Sequence, residues 1–274
     1  MIIDSLTHIL PTEVSSNIGK YKKIDRKFDS LFEESTKIIS SEDLIQSMKK
    51  NNIAKSIIAG FGWTDHGLAS LVNDYIIESK DKYKDSLVPL CSLDINSKFS
   101  EQELIKCISK GAKGIGELHL NYDENIEKNH VFKNILNIAS ENNLPILIHG
   151  SEPVGHEYNG KGNSNPKNLY QLVKNNPSNK FIFSHFGGGL VFFEQMPEVK
   201  KILKNVFYDS SAQPFLYNKK IYRNAINCSS INKILFATDY PLINIKRCLS
   251  EIDYLNDEEK MHIFSYNAIS AYNL

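Results

Sequence analysis

"IIDSLTHILP", residues 2–11, is an apolar run that carries Asp4, Leu6 and His8 at every second position. Alternate residues of an extended strand share a face, so an acid, an alkyl group and an imidazole would point the same way. Seven more short apolar runs follow: "KSIIAGF" (55–61), "LVPLCSLDI" (87–95), "AKGIGELHL" (112–120), "PILIHG" (145–150), "KFIFSHFG" (180–187), "NVFYDSS" (205–211) and "KILFATDYP" (233–241). Between them lie amphipathic stretches such as "SSEDLIQSMKKNN" (40–52), with Ser40 or Ser41 as cap, "NHVFKNILNIASENN" (129–143), "NPKNLYQLVKNN" (165–176) and "EVKKILKN" (198–205), and a last helix starts near Asp257.

Strand runs that alternate with helices indicate a parallel sheet with crossover helices. Eight such units in 274 residues fit an α/β chain folded as a single (β/α)₈ TIM barrel, more units than most open doubly wound sheets contain. No linker-like composition interrupts the alternation, so one domain is expected over residues 1–274. The connection from residue 11 to about 54 contains "NIGKYKKIDRKFDSLFEES" and is too long for a simple loop. It is expected to be an insertion after strand 1 that covers the barrel mouth.

The composition narrows the classes of partner. Hydrophobic residues make up 41% of the chain, and the 32 basic residues balance the 32 acidic ones, so no nucleic-acid or anionic-membrane footprint is expected. No run approaches the ~20 apolar residues of a membrane span. Cys91, Cys107, Cys228 and Cys248 are widely spaced and read as reduced packing residues, which suits the cytoplasm. The expected partner is a small molecule.

The runs share a second property, because polar residues of metal-binding or acid–base type cluster near their C-terminal ends: His8, Glu117 with His119, His149, His185, Asp209 and Asp239. A barrel gathers those ends on one face, which is where catalysis occurs in this fold. One histidine at a strand end is commonly a hydrogen-bonded core residue. Several histidines with carboxylates around one mouth form a ligand set for a catalytic divalent ion, which lowers the pKa of bound water to about 7.

"IDSLTHILP", "PILIHG", "FIFSHFGGG" and "ILFATDYP", in this order along the chain, resemble the amidohydrolase superfamily, in the amidohydrolase-related branch that contains aminocarboxymuconate-semialdehyde-decarboxylase-like enzymes. The resemblance implies that His8, His149 and Asp239 bind a divalent metal, zinc or manganese, and that Asp239 and His185 are catalytic. It also implies that Leu6 stands where the first histidine of an HxH pair is usual. An alkyl chain donates no lone pair, so either the site is metal-free or another group replaces that ligand, and Glu117 is the substitute put forward here. Dimers are frequent among similar proteins, and a homodimer is the corresponding expectation.

Around this set His119 is read as a substrate contact because it shares a strand face with Glu117. The polar, glycine-rich loop "SEPVGHEYNGKGNSNP" (151–166) offers His156, Tyr158 and Lys161 to an anionic substrate, and Trp63 is read as an apolar wall. "DSSAQPFLY" (209–217) is placed at the mouth after strand 7. The first functional reading is a metal-dependent hydrolase in which metal-activated water attacks an amide, ester or lactone of a small anionic substrate. Its alternatives are a non-oxidative decarboxylase of an unsaturated or aromatic acid, a metal-independent lactonase, and a barrel that only binds.

Overall fold

The computed structural model describes every residue except 122–125 and 156, and at 127 the backbone alone. Eight parallel strands form at the eight apolar runs: β1 (Ile3–His8), β2 (Lys55–Ala59), β3 (Leu87–Pro89), β4 (Ile115–Leu118), β5 (Ile146–Ile148), β6 (Phe181–Phe183), β7 (Val206–Asp209) and β8 (Ile234–Leu235). Regular pairing gives two arcs, β1-β2-β3 and β4-β5-β6-β7-β8. Two seams join the arcs. Cys91 N donates to Gly114 O at 3.0 Å and Gly116 N to Cys91 O at 2.9 Å. On the other side Ser5 N bonds Phe236 O at 2.8 Å, Asp239 N bonds Leu6 O at 3.1 Å and His8 N bonds Tyr240 O at 2.8 Å. The ring is the TIM barrel expected from the alternation.

The strands are shorter than the apolar runs because their C-terminal residues leave the ladder to build the mouth. Inside the ring Ile3, Leu6, Ile57, Leu90, Leu147, Ile182 and Leu235 form one apolar cluster, and Tyr272 of the last helix, Asn267–Tyr272, packs against it. The outer faces of the strands pack on the helices in a second, larger core. Ser40 caps the helix Ser41–Lys50 through a capping box with Asp43, one of the two positions read from sequence. The four cysteines are buried and free. No helix among the described residues is long and apolar enough to cross a membrane.

Strict alternation fails in the opening run. The register of β1 against β2 slips between Asp4 and Thr7, so Ile3 and Leu6, three residues apart, both enter the interior cluster. A bulge of this kind adds one residue to a strand and reverses parity beyond it. Asp4 therefore does not share the face of Leu6 and His8. Its carboxyl group is stapled to the chain after β8, bonding Thr238 N at 3.0 Å and Thr238 Oγ1 at 2.6 Å. Leu6 is wholly buried below the mouth, among apolar side chains.

Burial pushes the Asp4 carboxyl up to about 7, against the lowering effect of its bonds to Thr238. A carboxyl raised in the folded state binds protons that the unfolded chain releases, so stability falls as pH rises from about 4 to 7 and is level above that window. The limiting slope is about 1.4 kcal/mol per pH unit. Asp4→Asn keeps both Thr238 partners and removes the charge. Melting curves between pH 4.5 and 8 should show the parent losing stability across the window and the variant losing much less.

Candidate metal centre

The C-terminal strand ends bring His8, Glu117, His119, His149, His185 and Asp239 to the wall of one cavity of about 660 Å³. Gly116 lets Glu117 approach β5. Its φ is +139°, and an added Cβ would lie 2.6 Å from Leu147 O. His185 and Asp239 both take left-handed backbone, with φ of 58° and 60°. Side chains rarely adopt that region, and its cost is tolerated where surrounding structure fixes the residue. Here it turns both side chains off their strands toward the mouth.

Donor atoms of Glu117, His149 and His185 all lie within 4.8 Å of one another. His149 Nδ1 is 3.3 Å from Glu117 Oε1 and 3.1 Å from His185 Nε2. His8 Nε2 stands beside them, 3.7 Å from Glu117 Oε2 and 3.1 Å from Asp239 Oδ1. Leu6 is not in this group, and Glu117 is the carboxylate that reaches all four histidines, at 3.3 Å from His149, 3.4 Å from His119, 3.7 Å from His8 and 4.0 Å from His185.

Hydrogen bonds behind the rings fix which nitrogens face the cavity. His8 Nδ1 donates to Ala59 O at 3.0 Å, and His185 Nδ1 donates to Ser211 O at 2.8 Å. In the neutral rings both Nε2 atoms then carry lone pairs toward the same space. One proton on His149 Nδ1 serves only one of its two acceptors, and His8 Nε2 and Glu117 Oε1 are buried with no hydrogen-bond partner among the described residues. A divalent cation among these atoms would satisfy them together, and the nitrogen and carboxylate set suits zinc, manganese or a similar ion. The residues present fit such an ion.

The charges are mutually dependent. Burial opposes charge on Glu117, yet His119 and His149 hold its carboxyl well below the usual carboxylate range. His8 and His185 are raised against the same burial penalty, His8 by Asp239 and Glu117, His185 by Asp239, Glu117 and Asp209. His119 is pushed down to about 4 by burial, with the field of His149 adding to it. Its ring stacks on His149 at 4.4 Å between centroids, and its Nε2 lies 3.4 Å from Glu117 Oε2.

Behind His185 stands a support that the sequence reading did not assign. Ser211 Oγ lies 3.0 Å from His185 Nδ1 and also bonds Asp209 Oδ1. That carboxylate accepts from Ser211 N at 2.9 Å and His185 N at 3.3 Å. The strand-end acid at 209 was visible in the sequence, but its link through Ser211 depends on the turn after β7.

The remaining expectations divide. Tyr158 lines the cavity and its hydroxyl donates to Glu152 Oε2 at 2.9 Å. Ala212, Phe215 and Leu216 of "DSSAQPFLY" line it too, as do Leu31, Phe32 and Ile38 of the insertion after β1. Trp63 does not. It is completely buried behind Phe61, at 5.3 Å between ring centroids, and packs on Phe28 and Phe32. The turn after β2 presents Phe61 instead, stacked on His8 at 4.1 Å. Lys161 also fails to line the cavity, and its Nζ lies 2.8 Å from Glu157 Oε1. His156 lies outside the described residues.

Residues 54–274 match the family model described as amidohydrolase. The chain belongs to the amidohydrolase family. No curated protein is significantly similar in sequence. Among solved structures, the 5-carboxyvanillate decarboxylase of Novosphingobium aromaticivorans, determined with manganese and a nitrobenzoic acid, is similar with a TM-score of 0.78 at 16% identity, covering 100% of this chain and 96% of its own. A 2,6-dihydroxybenzoate decarboxylase from Rhizobium is similar with a TM-score of 0.72 at 13% identity, covering 99% and 98%. A probable 2-pyrone-4,6-dicarboxylic acid hydrolase from Acinetobacter baumannii gives 0.66 at 15%, covering 100% and 99%.

Removing an outer partner of a metal-binding histidine typically lowers metal affinity about 10- to 100-fold. Ser211→Ala keeps the carbonyl that accepts from His185 Nδ1 and removes only Oγ and its bond to Asp209, so it should reduce manganese or zinc affinity by no more than about tenfold in equilibrium dialysis. Glu117→Gln should reduce it at least as much, and Trp63→Ala should lower the melting temperature while leaving affinity nearly unchanged.

Proposed function

We propose that the chain is a divalent-metal-dependent decarboxylase that removes the carboxyl group of an aromatic or unsaturated acid without oxidation. The observation that carries the reading is the setting of the donor cluster. It opens onto a wall of Leu31, Phe32, Phe61, Phe215 and Leu242, which suits a flat, largely apolar acid better than a polar amide. The decarboxylases that share the fold over their whole length support the same choice. This reading displaces hydrolysis from first place.

An ion held by Glu117, His149 and His185 would supply positive charge to the oxygens of the bound acid. Asp239, oriented by His8 at 3.1 Å, delivers a proton to the carbon that bears the carboxyl group. The carbon–carbon bond then breaks, its electron pair returns to the conjugated system, and CO₂ leaves. Asp239 regains its proton from solvent. Phe61 and Phe32 exclude water from the reacting face, and an apolar surround favours neutral CO₂ over the carboxylate it came from.

Hydrolysis of an ester or lactone, with or without a metal, is the second reading, supported by the hydrolase that shares the fold. Asp239 would then accept the proton of attacking water. Manganese- or zinc-loaded protein incubated with hydroxybenzoates in D₂O should release CO₂ and give product with one deuterium where the carboxyl group stood. Asp239→Asn should lower kcat by about 10²- to 10⁴-fold with an unchanged melting temperature. Incorporation of ¹⁸O from water with no CO₂ would establish the hydrolase instead.

A further inference from the structure

Behind His119 lies a second chamber of about 370 Å³, which shares this imidazole as a wall with the donor-cluster cavity. Gly62 lines the chamber while its neighbour Phe61 lines the cavity, so the turn after β2 divides the two spaces. Where the main cavity wall is largely apolar, the chamber carries Lys27, Asp94, Asn96, Lys128 and Asn129.

Lys27 comes from the short helix Arg26–Leu31 of the insertion after β1. Its ammonium is half-buried and has no hydrogen bond or ion pair among the described residues. The acids on hand are engaged elsewhere. Asp25 accepts from the backbone N–H groups of Phe28, Thr64 and Asp65, each at 2.7 Å. Asp94 Oδ1 accepts from Asn96 N at 2.9 Å. Burial pushes the Lys27 ammonium below the usual lysine range, and Asp25 and Glu117 oppose this only through space. On the same chamber wall His119 Nδ1 has no hydrogen-bond partner among the described residues, while its Nε2 stays 3.4 Å from Glu117 Oε2. A partly desolvated cation on the wall of the same chamber as an imidazole with an unpartnered Nδ1, with a second lysine at the rim, is a setting that an acceptor-only anion would complete.

We infer that this chamber is a subsite for a small oxyanion, a carboxylate or bicarbonate, held by Lys27 against His119. The anion has two sources, a carboxylate arm of a molecule bound in the main cavity or a free anion from solvent. The inference does not rest on the decarboxylase reading, and it is tested on metal-free protein by binding alone.

Acetate binding, read by saturation-transfer NMR, should weaken about tenfold in Lys27→Met, because a charge-assisted hydrogen bond is lost. Lys27→Arg keeps the charge and should stay within about twofold of the parent, and melting curves verify that both variants fold. Lys37→Met, at the rim of the main cavity, should leave acetate binding as it is. Unchanged binding in folded Lys27→Met overturns the assignment, and so does a loss that follows Lys37→Met instead. The source is read from two further probes. Benzene-1,3-dicarboxylate binding more tightly than benzoate, with the gap closed in Lys27→Met, assigns the oxyanion to an arm of the larger ligand. Acetate and benzoate binding together, with no such gap, assigns it to the free anion.

Discussion

The site depends on the hydrogen bonds between β1 and the chain after β8. Asp239 N bonds Leu6 O and His8 N bonds Tyr240 O, so the two ends of the sequence are laced together at the mouth. Asp4 reinforces the seam through Thr238, the residue immediately before Asp239. Without that closure His8 and Asp239 would have no reason to stand 3.1 Å apart. Barrel closure is thus the step that brings these two strand ends into contact.

Closure also creates an electrostatic problem. Four histidines and two carboxylates share one largely buried space, where unpaired charge is expensive. The arrangement answers it locally: each acid faces imidazoles, and the backs of His8 and His185 are tied to carbonyl oxygens. What remains unsatisfied points inward, as lone pairs suited to a cation. The apolar wall contributed by the insertion raises the strength of every one of these interactions by keeping water out. The donors come from strand ends, and the apolar wall is shared between the long connection after β1 and the segments after β2, β7 and β8.

Where the sequence reading departs from the structure, the cause is a local break in backbone regularity. Period-2 alternation grouped Asp4 with Leu6 and His8, but a bulge separates them. Its place after the second strand marks Trp63 as a wall, but the turn after β2 sends Trp63 into the core and Phe61 to the cavity. The glycines around Lys161 marked a loop near the mouth, but its ammonium turns to Glu157. In each case the residue type was informative and its direction was not, because direction follows φ and ψ at a few irregular positions.

By itself the sequence determined the number and order of the strands, the insertion after the first, and the polar residues that end them. Those features follow from local periodicity and from which residues a buried parallel strand tolerates. Only the tertiary structure decided that His185 joins Glu117 and His149 in one donor group, that Asp209 and Ser211 stand behind His185, and that Lys27 reaches the chamber behind His119. These are contacts between segments distant in sequence, aimed by left-handed residues at strand ends and by ring closure, and no periodicity encodes them.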